Sequence, residues 1–210
     1  INNDNKEWKK AVNTIDLMSK VGIKSGGLEC DIYFKKKKKI FDVHHDIDNS
    51  IGLNFENLLQ VYSNRGLHAS IWMDFKNLND SNYAPALTEL IKLRDKYHLN
   101  NKVLVESYRV DLLKHFSDKN FFTSYYTPYF NPYLISKDSM NHWVNELTAT
   151  INNSNVSALS GYYFQYPFLH KYFPNYPILI WCPNDKMSVI NRVYKTKRMN
   201  SPEVFISLYP

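Results

Sequence analysis

The chain has 210 residues, enough for one domain of ordinary size, and 44% of them are apolar, enough for a sizeable core. Lys and Arg number 26 against 20 Asp and Glu, a net +6, so anionic partners are favoured over cationic ones. No run reaches the ~18 apolar residues of a membrane helix, and no signal-peptide pattern is visible. Two cysteines, Cys30 and Cys182, are too few for a disulfide framework and read as buried thiols.

In chain order, residues 5–20 place Trp8, Val12, Ile15, Leu17 and Met18 near helical spacing and predict a helix. "GIKSGG" at 22–27 breaks it, and "LECDIYF" follows as a strand. "IFDV" at 40–43 is a second extended run, an excursion after the first strand. Residues 50–66 read as a helix with a glycine stop. Strands are then expected near 69, 102, 121, 157, 178 and 204. Helices are expected between them, one over "SKDSMNHWVNELTATINN" opened by a Ser136 cap and one over "DKMSVINRVYKTK".

Alternating strands and helices imply a parallel sheet with helical crossovers. The count is seven barrel-type strands preceded by a lone helix, one strand short of a (β/α)₈ TIM barrel. The expected architecture is therefore a single domain over 1–210, an α/β barrel lacking its first strand. The chain starts at Ile rather than Met, which suggests processing or a piece of something longer.

The chemistry concentrates in residues 26–46, "GGLECDIYFKKKKKIFDVHHD". In a strand, i and i+2 share a face, so Glu29 and Asp31 point the same way while Cys30 faces the helices. Two carboxylates so placed repel unless a cation or a proton intervenes, and they make half of a hard-cation site. "IWMDFKNL" repeats the device: Asp74 and Lys76 share a face of an otherwise apolar strand. They form either an internal salt bridge or a third cation ligand beside a phosphate-binding point charge.

Adjacent His44 and His45 in an extended run point opposite ways, so one can face the site, where imidazole suits proton transfer near neutrality. His68, His98, His115, His142 and His170 have no such company and read as packing or surface residues. Glu106, at the end of "VLVES", should reach the same mouth as a ligand, a partner of Lys76 or a structural acid. Trp181 in "WCPND" reads as a substrate wall or as core packing. Lys35–Lys39 form a solvated turn or a patch for phosphate or an anionic lipid surface.

The ordered set "LECDIYF…FDVHHD…IWMDFKN" resembles the PLC-like phosphodiesterase barrels, and within them the glycerophosphodiester phosphodiesterase family and its bacterial relatives. The resemblance extends over nearly the whole chain and is most specific over residues 26–78. It implies a (β/α)₈ barrel that cleaves phosphodiesters with two histidines and a divalent cation, Mg²⁺ or Ca²⁺. Carried over, Glu29, Asp31 and Asp74 would be cation ligands, His45 (the histidine followed by Asp46) a catalytic histidine, and Lys76 the phosphate-binding residue. Glu106 and Trp181, which the resemblance does not assign, are substrate-binding candidates by their position at the mouth. The family's first histidine, usually in His-Arg at the end of the first strand, has no counterpart before Glu29.

The implied partner is a phosphodiester small molecule or phospholipid head group, with peripheral membrane contact through Lys35–Lys39. Sphingomyelinase D-like phospholipases share this layout. A non-catalytic barrel that binds phosphate or anionic lipid is the runner-up. Net charge and aromatic content alone would suggest a nucleic-acid binder, but no recognition motif supports one. The compartment is left open.

Overall fold

The longest strand, β2 (Gly27–Lys35), is buried along nearly its whole length, as expected of a parallel strand covered on both faces. The computed structural model describes residues 1, 5–183 and 187–209. Beside β2 runs β4 (Ser70–Phe75), followed around the sheet by β5 (Val103–Ser107), β6 (Phe122–Tyr126), β7 (Ala158–Tyr162), β8 (Ile178–Trp181) and β9 (Val204–Tyr209). All of these neighbours pair in parallel. Crossover helices follow most strands: α2 (Phe55–Asn64), α3 (Tyr83–Lys96), α4 (Val110–Ser117), α5 (Lys137–Asn152), α6 (Tyr166–Tyr172) and α7 (Val189–Met199). The expected cap is present on α5, where the Ser136 hydroxyl accepts from the Ser139 N–H at 3.1 Å. Asp185 and Lys186, at the start of the helix expected there, lie outside the described residues.

The expectation of a missing first strand is overturned. β1 (Glu7–Lys9) closes the ring, pairing in parallel with β9 over three residues and with β2 at Lys9 and Leu28. Eight parallel strands thus form a complete barrel within the described residues. The predicted helix over 5–20 is this strand, a turn and a short helix, α1 (Ile15–Ser19), capped by the Thr14 hydroxyl. The spacing of Trp8 and Val12 mimicked a helix, but the two residues serve different layers. Trp8 fills the barrel interior with Trp72, Leu104, Leu179 and Ile206, whereas Val12 joins the shell between sheet and helices.

The strand closes against glycine. A Cβ on Gly27 would sit 2.1 Å from the Trp8 ring, and one on Gly26 would sit 2.1 Å from the Asn5 carbonyl oxygen. The glycine pair at 26–27, where β2 begins, is therefore what lets β1 approach closely enough to seal the barrel. Trp8 then meets Trp72 edge to face, with ring centres 6.5 Å apart.

β3 (Ile40–Val43) pairs antiparallel to the upper half of β2, as the excursion expected at 40–43. The hairpin they form rises from the carboxyl end of the barrel and carries Lys35–Lys39 at its turn. Cys30 and Cys182 are both buried. Among the described residues no helix is long and apolar enough to cross a membrane.

Candidate active site at the carboxyl end of the barrel

Strand register brings the acids together. Asp31 of β2 is level with Asp74 of β4, and Asp74 is level with Glu106 of β5, so the three share one layer of the mouth. Glu29 lies one interior position deeper, level with Trp72. One carboxylate oxygen from each of Glu29, Asp31 and Asp74 falls within 4.8 Å of the others. They line a cavity of about 560 Å³ at the carboxyl end of the strands, where barrel proteins place their sites.

Each acid is held in place. The Ala11 N–H, just beyond β1, donates to Glu29 Oε2 at 2.7 Å. Asn13 grips Asp31 twice: its Nδ2 donates to Asp31 Oδ2 at 2.6 Å and its Oδ1 accepts from the Asp31 N–H at 2.9 Å. Lys76 Nζ reaches Asp31 Oδ1 at 2.8 Å and also pairs with Asp74. Neither Ala11 nor Asn13 was legible as a site residue, because asparagine is abundant in this chain and a backbone donor has no sequence signature.

The electrostatics are those of crowded acids. Burial, then the Asp31 and Asp74 charges, hold the Glu29 carboxyl well above its ordinary value, against the Ala11 N–H and Lys76. Burial likewise raises Asp74, with Lys76 opposing and Asp31 reinforcing. Burial and the Asp74 charge push Glu106 up to about 8, despite the Ser160 and Ser124 hydroxyls and Lys76. Glu106 Oε2 has no hydrogen-bond partner among the described residues, so the carboxyl is an open group on the cavity wall. Burial would depress the Lys76 ammonium, but Asp74 and Asp31 outweigh it and hold that group charged.

His45 lines the cavity and His44 does not, the arrangement expected from alternation. The His45 Nδ1–H donates to Asp46 Oδ1 at 2.8 Å, which leaves Nε2 as the nitrogen able to exchange a proton. Hydrogen bonds from His45 and Asn49 keep the Asp46 carboxyl below the usual range. The His45 side chain is 69% exposed, at the solvent edge of the mouth. His44 is buried: its Nδ1–H donates to the Asp46 carbonyl at 2.7 Å, its Nε2 lies 3.4 Å from Asp42 Oδ2, and its ring stacks on Tyr33. The Tyr33 hydroxyl donates to the His45 carbonyl at 3.2 Å, so both neighbours brace the segment that carries His45.

The far wall is aromatic. Trp181, at the end of β8, packs on Tyr162 with ring centres 3.9 Å apart and near Tyr126 at 5.8 Å. Asn184 and Asp185 of "WCPND" lie outside the described residues. Between the aromatic and acidic walls stands Lys10, one residue past β1. Its Nζ donates to the Cys182 carbonyl at 3.0 Å and lies 5.2 Å from the centre of the Trp181 ring. The end of β1 is thus Lys9–Lys10–Ala11 and carries no histidine, although the strand itself is present. Lys10 escaped notice because its segment read as a helix. Of the remaining histidines, His115 stacks on Tyr83, His170 stacks on Tyr166, and His142 pairs with Glu146 on the surface.

No protein-family model matches the chain. No curated protein matches it either. Solved structures do. A glycerophosphodiester phosphodiesterase from Parabacteroides distasonis aligns over 97% of this chain and 92% of its own, with 12% identity and a TM-score of 0.64. A phosphodiesterase from Oleispira antarctica, solved with the product sn-glycerol-3-phosphate, aligns over 98% and 93%, with 12% identity and a TM-score of 0.64. A glycerophosphodiester phosphodiesterase from Agrobacterium tumefaciens aligns over 97% and 95%, with 12% identity and a TM-score of 0.58. The chain therefore shares, over nearly its full length, the (β/α)₈ barrel of the glycerophosphodiester phosphodiesterases.

Proposed function

We propose that this barrel is a divalent-cation-dependent phosphodiester hydrolase acting on a glycerophosphodiester or a lipid phosphodiester. The observation that carries this reading is the convergence of Glu29, Asp31 and Asp74 at the strand ends. The donor set is all carboxylate oxygen, which suits Mg²⁺ or Ca²⁺. Burial first, and neighbouring carboxylates after it, raise the Glu29 and Asp74 carboxyls, so a cation placed among them would relieve both. Bound there, the cation would supply Lewis-acid stabilisation of charge on the phosphoryl oxygens.

The other roles belong to the chain's own side chains. Lys76, already charged and fixed by Asp31 and Asp74, presents a point charge to a phosphate oxygen at the same place. His45 is the imidazole lining the cavity, with Asp46 setting its tautomer, so it moves the proton between the substrate's hydroxyl and oxygen atoms. Glu106 and the Trp181 wall receive the alcohol part of the substrate. The shared fold, and the glycerol phosphate bound by the Oleispira protein, support a small phosphodiester as the ligand.

One observation favours a second reading, phosphate or anionic-lipid binding without turnover. The end of β1 offers Lys10 to the mouth where the family resemblance implies a histidine, so the mouth holds one imidazole among the described residues instead of two. Hydrolysis of a glycerophosphodiester with Mg²⁺ or Ca²⁺ separates the readings. Turnover is expected, and His45→Ala should lower it by about 10²–10⁴-fold with cation affinity unchanged. Phosphodiester binding with no turnover under either cation would favour the second reading, and no binding would sink both.

A further inference from the structure

Outside the charged pocket, the same end of the barrel carries an exposed apolar patch. The first turns of α7 expose Val189, Ile190 and Val193 by 66%, 80% and 66%. Beside them, the connection from β6 to α5 exposes Tyr129, Tyr133 and Leu134 by 63%, 56% and 81%. The two segments touch, since the Tyr133 and Tyr194 hydroxyls are 2.5 Å apart. Tyr129 also packs edge to face on Tyr162 of the cavity wall, at 4.9 Å between ring centres. The patch is therefore a continuation of the mouth's aromatic wall onto the outer surface, and clusters of this kind mark interaction sites rather than ordinary surface.

Charge indicates what covers it. The first two turns of α7 also carry Arg192 and Lys195, the helix holds no acid, and its other basic residues, Lys197 and Arg198, stand in the last turn, beyond the exposed apolar residues. In the ring of eight strands β7 stands opposite β2, and it is flanked by β6, whose following connection bears one half of the patch, and by β8, which precedes α7. The β2–β3 hairpin on the facing rim exposes Lys36–Lys39. The mouth is thus framed by an apolar rim with Arg192 and Lys195 behind it on one side and a lysine turn on the other. An apolar stretch set among basic residues fits the boundary of an anionic bilayer, where acyl chains take the apolar side chains and head groups meet the charges.

We infer that the carboxyl face of the barrel docks on an anionic phospholipid membrane, with Leu134 and Ile190 inserted on one rim and Lys36–Lys38 held to the head groups on the other. This docking does not depend on catalysis. It would turn the cavity towards the lipid surface.

The test is co-sedimentation with phosphatidylcholine vesicles, with or without roughly one-third phosphatidylserine, at low and high salt. The chain should sediment with the anionic vesicles and be released by salt. The triple variant Lys36→Ser/Lys37→Ser/Lys38→Ser should bind about 100-fold more weakly. The double variant Leu134→Ser/Ile190→Ser should bind about tenfold more weakly. All four measurements are free of turnover, and the sites are exposed, so unchanged melting curves verify the fold of each variant. Three results would overturn the inference: no binding to anionic vesicles, binding equal in wild type and both variants, or a dimer in size-exclusion chromatography that Leu134→Ser/Ile190→Ser splits. The last would assign the patch to a second copy of the chain.

Discussion

On the β2–β4 side of the mouth, charged groups on two well-paired strands hold one another. Asp31 is fixed by Asn13 and Lys76, Asp74 by Lys76, and Glu29 by a backbone N–H. On the β1 side, a three-residue strand meets β2 at a single register pair and delivers a lysine. His45 sits at a third place, 69% exposed and anchored through Asp46. The charged part of the site is therefore built into two extensively paired strands, while the His45 imidazole stands at the solvent edge. Under the proposed function, such a mouth would first concentrate opposing charges around a phosphate and a cation, and only then move protons.

Substitutions on the two sides should separate these roles. Lys76→Met removes the cation shared by Asp31 and Asp74 and leaves buried carboxylates facing each other. Chemical denaturation at about pH 8 should show a loss of about 3–5 kcal/mol, shrinking near pH 5 where the carboxyls take up protons instead. A loss that stays the same at both pH values would mean that packing of the lysine stem, not charge, dominates. On the β1 side, Gly27→Ala drives a methyl into the Trp8 ring and should cost about 1–3 kcal/mol, and it should weaken cation binding as well, because Ala11 and Asn13 just beyond β1 orient Glu29 and Asp31. An unchanged stability would show that β1 does not need that close approach to seal the barrel.

The smallest expected effect is a pH slope. Burial and Asp74 push Glu106 up to about 8, whereas an unfolded glutamate titrates near ~4.3. Between those values the folded chain holds a proton that the unfolded chain has released. Stability from this group is then complete below the unfolded pKa and is lost as pH rises towards 8. Without divalent cation, the melting midpoint of the wild type should fall by on the order of 5 °C between about pH 5 and pH 8, relative to Glu106→Gln. Parallel curves for the two proteins would place the Glu106 proton elsewhere.

The legible and illegible parts of the molecule divide along the same line. Glu29, Asp31, Asp74 and Lys76 could be read because a strand's period of two puts acids two apart on one face, inside runs that are otherwise apolar. The histidine pair could be sorted by the same alternation. β1 could not be read: it is three residues long, its flanks are lysines, and Trp8 and Val12 happen to fall at helical spacing while packing in different layers. The count of strands was one short for that reason alone. The glycine pair at 26–27 held the missing signal, since two glycines at the base of a buried strand invite close approach by a neighbour. Asn13 and the Ala11 N–H, which orient two of the acids, act through contacts that only the closed ring creates.

The most direct measurement is calorimetric titration of the chain with Mg²⁺ and with Ca²⁺, run in two buffers of different ionisation enthalpy so that released protons are counted. Burial raises the Glu29 and Asp74 carboxyls, so cation binding should weaken and release more protons as the pH of the titration is lowered. The expected result is one cation per chain with measurable proton release, lost in Glu29→Gln and in Asp74→Asn. No binding up to about 10 mM, or binding that both variants leave intact, would contradict a cation site at the mouth of this barrel.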